Sequence, residues 1–271
     1  MLAQTNRFFD DRDHTEFSTH GYLRLGKLVT PMGLQALQQR IDDIMLGVIP
    51  YPSMRFQLDG TSSQYAGLLP ESVGHKGPTL AYRRITGLEQ DADFLTYIQH
   101  PLFCRITERY IGENVSIFRA MLMNKPAELG TELPWHQDVG EGWGLDRNPI
   151  ITIWTALDDA RIANGCMQVV PGSHKLGVLN PSHHVSDEDQ AAYTREEDIL
   201  DLEVEAGEAI LLHNWLLHRS GVNPTSAPRR SLSVAYMDAD TRAAQSEQTF
   251  PFVFGAGSLQ PNGLANRLSP T

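Results

Sequence analysis

The chain has 271 residues, 41% of them hydrophobic and 20% charged, the make-up of a soluble globular protein. Its 33 acidic against 22 basic side chains give a formal charge of −11. Such a surface repels phosphate backbones and anionic bilayers, so neither nucleic acid nor a membrane is an expected partner. Cys104 and Cys166 are the two cysteines, too few for a disulfide framework or an all-thiolate metal site.

Met1 to Asp13 carries acids where a secretory signal would be apolar. No apolar run reaches the ~20 residues that a bilayer requires. The ending Arg267-Leu268-Ser269-Pro270-Thr271 is not a peroxisomal address, so the cytoplasm is the expected compartment. Further along, Thr30-Pro31 reads as an N-cap and a first-turn proline. The helix they open carries Leu34, Leu37, Ile41, Ile44 and Met45 at helical spacing and stops near Gly47. Pro50 to Pro78, rich in Gly, Pro and Ser, reads as an ordered loop or lid. A second helix spans Pro101 to Ile111 and is closed by Gly112.

From Val115 the texture changes to short β-type runs. Val115–Met123, Pro149–Leu157, Met167–Val170, Glu208–His213 and Ser231–Met237 are the clearest strands, with Pro171-Gly172-Ser173 and Asn223-Pro224 as turns. The expected fold is a single, mainly β domain with helical additions. Helices and loops fill 1–114, a double-stranded β-helix of jelly-roll type fills about 115–240, and a wrapping tail fills 241–271.

The chemistry centres on Trp135-His136-Gln137-Asp138. On a strand, residues i and i+2 face the same side about 6–7 Å apart, so an imidazole and a carboxylate can converge on one metal. The pair is weak by itself in a chain with ten histidines, and His14-x-Glu16 is a decoy of the same form. His218, just after the apolar run Ala209 to Leu212, supplies a third donor. Two imidazoles and one carboxylate form the facial triad of non-haem Fe(II) oxygenases.

Arg229, leading into the next strand, can clamp a distant carboxylate through two parallel hydrogen bonds. 2-Oxoglutarate needs such a clamp and a plain metal-binding cupin does not. Ser231, Ser233 and Ala235 share the face of Arg229, whereas Arg230 shares a face with Leu232, Val234 and Tyr236, which suits packing against helices. Arg229 is therefore the inward residue. His213 is the rival third ligand; its bland alternative is a histidine at the core edge. His174 reads as a turn residue bonding backbone, and His183-His184 as a solvated loop that a lid could use.

Several further blocks accompany these residues in order. They are Met121-Leu122-Met123-Asn124-Lys125-Pro126, Trp154-Thr155-Ala156-Leu157-Asp158-Asp159, Asn164-Gly165-Cys166 and His218-Arg219-Ser220-Gly221-Val222-Asn223. Together they resemble the phytanoyl-CoA dioxygenase family of Fe(II)/2-oxoglutarate oxygenases over about Ala81 to Met237. The resemblance implies that His136, Asp138 and His218 are the catalytic iron ligands and that Arg229 grips the far carboxylate of 2-oxoglutarate. It also implies that Met121, Gln137 and Trp154 line the co-substrate pocket, with Arg84 and Ser220 within reach of it. The bland alternatives are strand core for Met121 and Trp154, and a surface ion pair for Arg84.

The implied reaction uses O2 to convert 2-oxoglutarate to succinate and CO2 while a C–H bond is oxidised. Related halogenases replace the carboxylate ligand with a small residue, so Asp138 argues against halogenation. With no phosphate-cradling glycine loop for CoA, the expected substrate is a small free metabolite, and the resemblance implies natural-product biosynthesis as one setting for it. Tyr51 to Lys76 and Val139 to Arg147 would shape its pocket, with Lys76, Arg83 and Trp143 as candidate contacts. Two other classes stay open: a cupin-like metalloenzyme without 2-oxoglutarate, and a non-catalytic binding member of the family.

Overall fold

The structure, a computed structural model, describes residues 7–60, 64–179, 184–245 and 249–265. Helix α1 (Asp11–His20) runs into β1 (Tyr22–Lys27), and α2 (Pro31–Met45) follows. The start of α2 is where the sequence places it: Thr30 Oγ1 accepts from Gly33 N at 3.0 Å, with Pro31 in the first turn. Leu37, Ile41, Ile44 and Met45 form its buried stripe. Then come β2 (Arg55–Leu58), β3 (Ser72–Val73), β4 (Tyr82–Thr86), α3 (Ala92–Ile98) and α4 (Pro101–Tyr110).

The β-rich part begins with β5 (Val115–Lys125), β6 (Leu133–His136), β7 (Ile151–Ala156) and β8 (Met167–Val169). After α5 (Asp187–Tyr193) the chain continues through β9 (Leu200–Leu202), β10 (Glu208–His213), β11 (His218–Ser220) and β12 (Arg229–Asp238). β13 (Phe252–Phe254) and α6 (Pro261–Ala265) end the described chain.

Two antiparallel sheets face each other. The larger has the order β1-β10-β7-β12-β5-β4-β2-β3 with β13 also on β5, and the smaller has the order β6-β11-β8-β9. The fold is thus mainly β with helices on one side, a jelly-roll arrangement. The first third is not helix and loop alone, as its composition suggested. β1 pairs with β10, and β4 pairs with β5, so both extend the larger sheet. The apolar rhythm of β4 is hidden because Arg83 and Arg84 sit in mid-strand. The tail also returns to the sheet through β13.

The helices pack on the outer face of the larger sheet. Leu232, Val234 and Tyr236 of β12 are buried there with Phe94, Leu95, Phe103 and Ile106, and Tyr236 Oη donates to Ile98 O at 2.8 Å. Each such side chain contributes about 1.5–3 kcal/mol on burial. This packing leaves the alternate residues of β5, β7 and β12 facing the smaller sheet across a cavity. Gly165 (φ 75°) lets the loop before β8 press against the chain after β11, where a Cβ would lie 2.5 Å from Gly221 O.

Candidate active site

His136 ends β6 and His218 begins β11, and the antiparallel register sets them opposite each other with ring centroids 4.1 Å apart. Asp138 places Oδ1 3.8 Å from His136 Nε2 and Oδ2 3.8 Å from His218 Nε2. The three donor atoms all lie within 4.8 Å of one another, too far apart for hydrogen bonds and arranged around a common centre. His136 Nδ1 donates to Pro134 O at 2.8 Å and His218 Nδ1 to Leu216 O at 2.9 Å. These bonds set both tautomers so that the Nε2 of each ring, on the side nearer Asp138, carries the lone pair. Asn214 holds the backbone of Asp138: its carbonyl accepts from Asp138 N at 2.7 Å, and its Nδ2 donates to Asp138 O at 3.1 Å. No motif in the sequence pointed to Asn214.

The triad opens on a cavity of about 670 Å3, its mouth included, between the two sheets. Arg229 lines it from β12 and is 5% exposed. Its guanidinium lies 5.8 Å from the Trp154 ring, and its Nε has no hydrogen-bond partner among the described residues. Burial pushes its pKa down to about 10, the attraction of Asp158 offsetting only part of the cost. Arg230 points the other way, into ion pairs with Asp158 (2.8 Å) and Asp42. Met121, Trp154 and Ser220 line the cavity with Arg229.

Two residues expected at the cavity lie elsewhere. Gln137 is fully buried between the ligands but faces the protein interior. Its Nε2 donates to Gly177 O (2.9 Å) and Trp215 O (2.7 Å), and its Oε1 accepts from Leu179 N at 2.7 Å. These bonds turn it away from the side on which His136 and Asp138 meet. Arg84 forms an ion pair with Glu71 at 3.1 Å and does not line the cavity, whereas Arg83 does. The register between β2 and β4 skips Arg83, pairing Gln57 with Arg84 and Leu58 with Tyr82. This bulge is what re-aims Arg83.

Arg83 is 4% exposed and stacks over Tyr65 at 5.1 Å. Lys125, within a block that the sequence singled out without a role, also reaches the cavity. Its Nζ donates to Thr131 O at 2.6 Å, and burial together with Arg229 and Arg83 holds its pKa well below the usual lysine value.

The remaining candidates separate clearly. His213 packs against His174 at 4.8 Å, accepts from Trp215 N, and takes no part in the metal cluster. Burial pushes its pKa down to about 4, so it is neutral at ordinary pH. His174 Nε2 bonds Ser18 O at 3.2 Å. His184 is half-buried, 6.3 Å from the His136 ring and 4.9 Å from Tyr65, not a solvated loop residue; His183 lies outside the described residues. His14 sits on α1, bonds Tyr110 Oη at 2.7 Å and takes no part in the metal cluster. Lys76 is exposed, and Trp143 is buried against Phe118.

Residues 17–231 match the phytanoyl-CoA dioxygenase (PhyH) family, and the chain belongs to that family. A probable phytanoyl-CoA dioxygenase of Caenorhabditis elegans is 28% identical over 254 residues, covering 89% of this chain and 76% of that protein. The peroxisomal phytanoyl-CoA dioxygenase of Bos taurus is 25% identical over 249 residues, covering 86% and 70%. Among solved structures, EctD from S. alaskensis with 2-oxoglutarate and 5-hydroxyectoine aligns with a TM-score of 0.68 over 96% of this chain and 88% of that one. At 19% identity, this is a likeness of fold. No helix among the described residues is long and apolar enough to cross a membrane.

Proposed function

We propose that the protein is an Fe(II)- and 2-oxoglutarate-dependent oxygenase that hydroxylates an unactivated C–H bond of a small metabolite, releasing succinate and CO2. The donor set fits the metal: two imidazoles, each with its Nδ1 bonded to a backbone carbonyl, and one carboxylate, converging on one centre. Bound there, iron would supply the centre at which the keto acid and O2 react. The observation that carries the reading is Arg229, a buried guanidinium with an unpartnered Nε in the same cavity as the triad. A buried cation without a partner is costly, and a dicarboxylate with one end at the metal and the other at Arg229 removes that cost.

The remaining roles follow from placement. Trp154 and Met121 wall the co-substrate, Ser220 offers a hydroxyl beside it, and Arg83 takes the place given to Arg84 as the second cation near its far end. Lys125 is held against Thr131 O and adds positive potential there. The family and the fold's neighbours support the same reading, since EctD is known in complex with 2-oxoglutarate. A cupin without 2-oxoglutarate has no use for Arg229, and an intact triad disfavours a non-catalytic role.

The test is O2-dependent formation of succinate from 2-oxoglutarate by the Fe(II)-loaded protein, with and without candidate metabolites. The proposal requires succinate from the wild type and its loss in Asp138→Ala and Arg229→Gln. Turnover that survives Arg229→Gln undiminished would transfer the protein to the cupin class.

A further inference from the structure

Resting on the 2-oxoglutarate reading, we propose that Arg119 is a second anion clamp that recognises a carboxylate on the substrate, so that the substrate class is small carboxylic acids. Arg119 lies two residues from Met121 on β5, and their partners on β12, Ala235 and Ser233, follow the same alternation. Met121 and Ser233 line the cavity, so Arg119 stands on that same face, one step further from Arg229. The register skips Phe118, pairing Arg119 with Ala235 and Ile117 with Tyr236. That bulge brings Phe118 beside Arg119, which stacks over the Phe118 ring at 4.4 Å and over the Trp143 ring at 5.1 Å.

The two rings are themselves stacked at 4.6 Å, so the guanidinium rests on an aromatic shelf. Such a shelf orients a guanidinium but leaves its N–H groups without acceptors. Arg119 makes no ion pair and no side-chain hydrogen bond among the described residues. The buried indole Nε1 of Trp143 and the buried Oγ1 of Thr152, which pairs with Ala235 across the strands, also lack hydrogen-bond partners among the described residues.

The charges around Arg119 point the same way. Arg119 is attracted by Asp138 and repelled by Arg84, whose own partner is Glu71. Once Asp138 binds iron, its charge is shared with the metal. Fe(II), Asp138 and the keto diacid together carry one negative charge, which Arg229 balances. Arg83 keeps Asp59 and Tyr65 as its neighbours. Arg119 is then left facing the open side of the site without a counter-ion. A carboxylate that enters from the mouth satisfies it, two N–H groups to two oxygens. The rest of the substrate then extends past Met121 toward the triad, and the C–H to be oxidised is fixed by its distance from that carboxylate.

The experiment is calorimetric titration of protein loaded with Zn(II) and saturating 2-oxoglutarate, which binds ligands without turning over. The probes are phenylacetate, cyclohexanecarboxylate and N-acetylalanine, each against its primary amide. The expected result is that an acid binds about 10- to 100-fold more tightly than its amide. This preference disappears in Arg119→Gln and is reduced but present in Arg119→Lys. 2-Oxoglutarate binding to each variant is measured first and reports that it is folded; Arg119→Lys carries the test if Arg119→Gln does not fold. If 2-oxoglutarate does not bind the wild type, the oxygenase reading fails and this one with it. If it binds but no acid is preferred over its amide, or the preference survives in Arg119→Gln, the assignment to Arg119 alone is overturned.

Discussion

Arg229→Met separates the cost of a buried cation from its use. Burial moves the Arg229 pKa from 12.5 to about 10. At ~1.4 kcal/mol per unit, the charged form costs the folded apoprotein roughly 3 kcal/mol at neutral pH. The sign follows from a depressed basic pKa: the penalty is present wherever the group is charged, and is relieved only as pH rises through about 10. Methionine has similar length and no charge, so the variant should gain about 1–3 kcal/mol after imperfect repacking. For a chain of this size that is a rise in apoprotein Tm of several degrees, at roughly 2–4 °C per kcal/mol. Binding should move oppositely. Loss of two charge-assisted hydrogen bonds, each about 1.5–3 kcal/mol, weakens 2-oxoglutarate by roughly 10²- to 10⁴-fold. Thermal unfolding of metal-loaded protein with and without 2-oxoglutarate reads both effects. A variant less stable than the wild type as apoprotein, yet stabilised equally by 2-oxoglutarate, would refute the reasoning.

Arg230→Ala, one residue away, should behave in the reverse manner. It leaves Asp158 and Asp42 without their shared cation, lowers stability by about 2–4 kcal/mol in urea unfolding, and leaves 2-oxoglutarate affinity within twofold. Gln137→Leu strips hydrogen bonds from the backbone of Gly177, Leu179 and Trp215; denaturant midpoints should fall by the equivalent of about 2–4 kcal/mol, with a smaller effect on 2-oxoglutarate half-saturation. His213, neutral in the fold with a pKa near 4, takes up a proton more readily when unfolded. Apoprotein stability should therefore fall as pH drops from about 6.5 toward 4, and His213→Gln should flatten that slope in pH-dependent melting curves.

The sequence carried the elements whose pattern is written in one segment. The N-cap at Thr30, the buried stripe of α2 and the alternation in β12 that separates Arg229 from Arg230 are all local, and the structure has each of them. The spacing of His136 and Asp138 is local too, and His218 stands out by its place after the apolar run Ala209 to Leu212, but its return opposite His136 is a matter of register between distant strands that no single segment encodes. What was not legible depends on bulges and on partners far along the chain. The skipped residue in β4 exchanged Arg84 for Arg83 at the cavity, and no residue type announces a bulge there. The family resemblance put Gln137 at the pocket, whereas its hydrogen bonds turn it inward to brace loops 40 and 78 residues away. β4 lacks a clear apolar period because two arginines sit in it, whereas β1 does carry one, with Leu23 and Leu25 buried on either side of exposed Arg24, and was legible in principle.

The central claim is that one cavity holds a metal by His136, Asp138 and His218 and a keto diacid by Arg229. Anaerobic addition of Fe(II) and 2-oxoglutarate, followed by visible absorption, examines that joint site with no need for a substrate. The account predicts a weak charge-transfer band in the wild type, absent in His136→Ala and His218→Ala and reached in Arg229→Gln only at far higher 2-oxoglutarate. A band that forms equally well in the His218→Ala protein would contradict it.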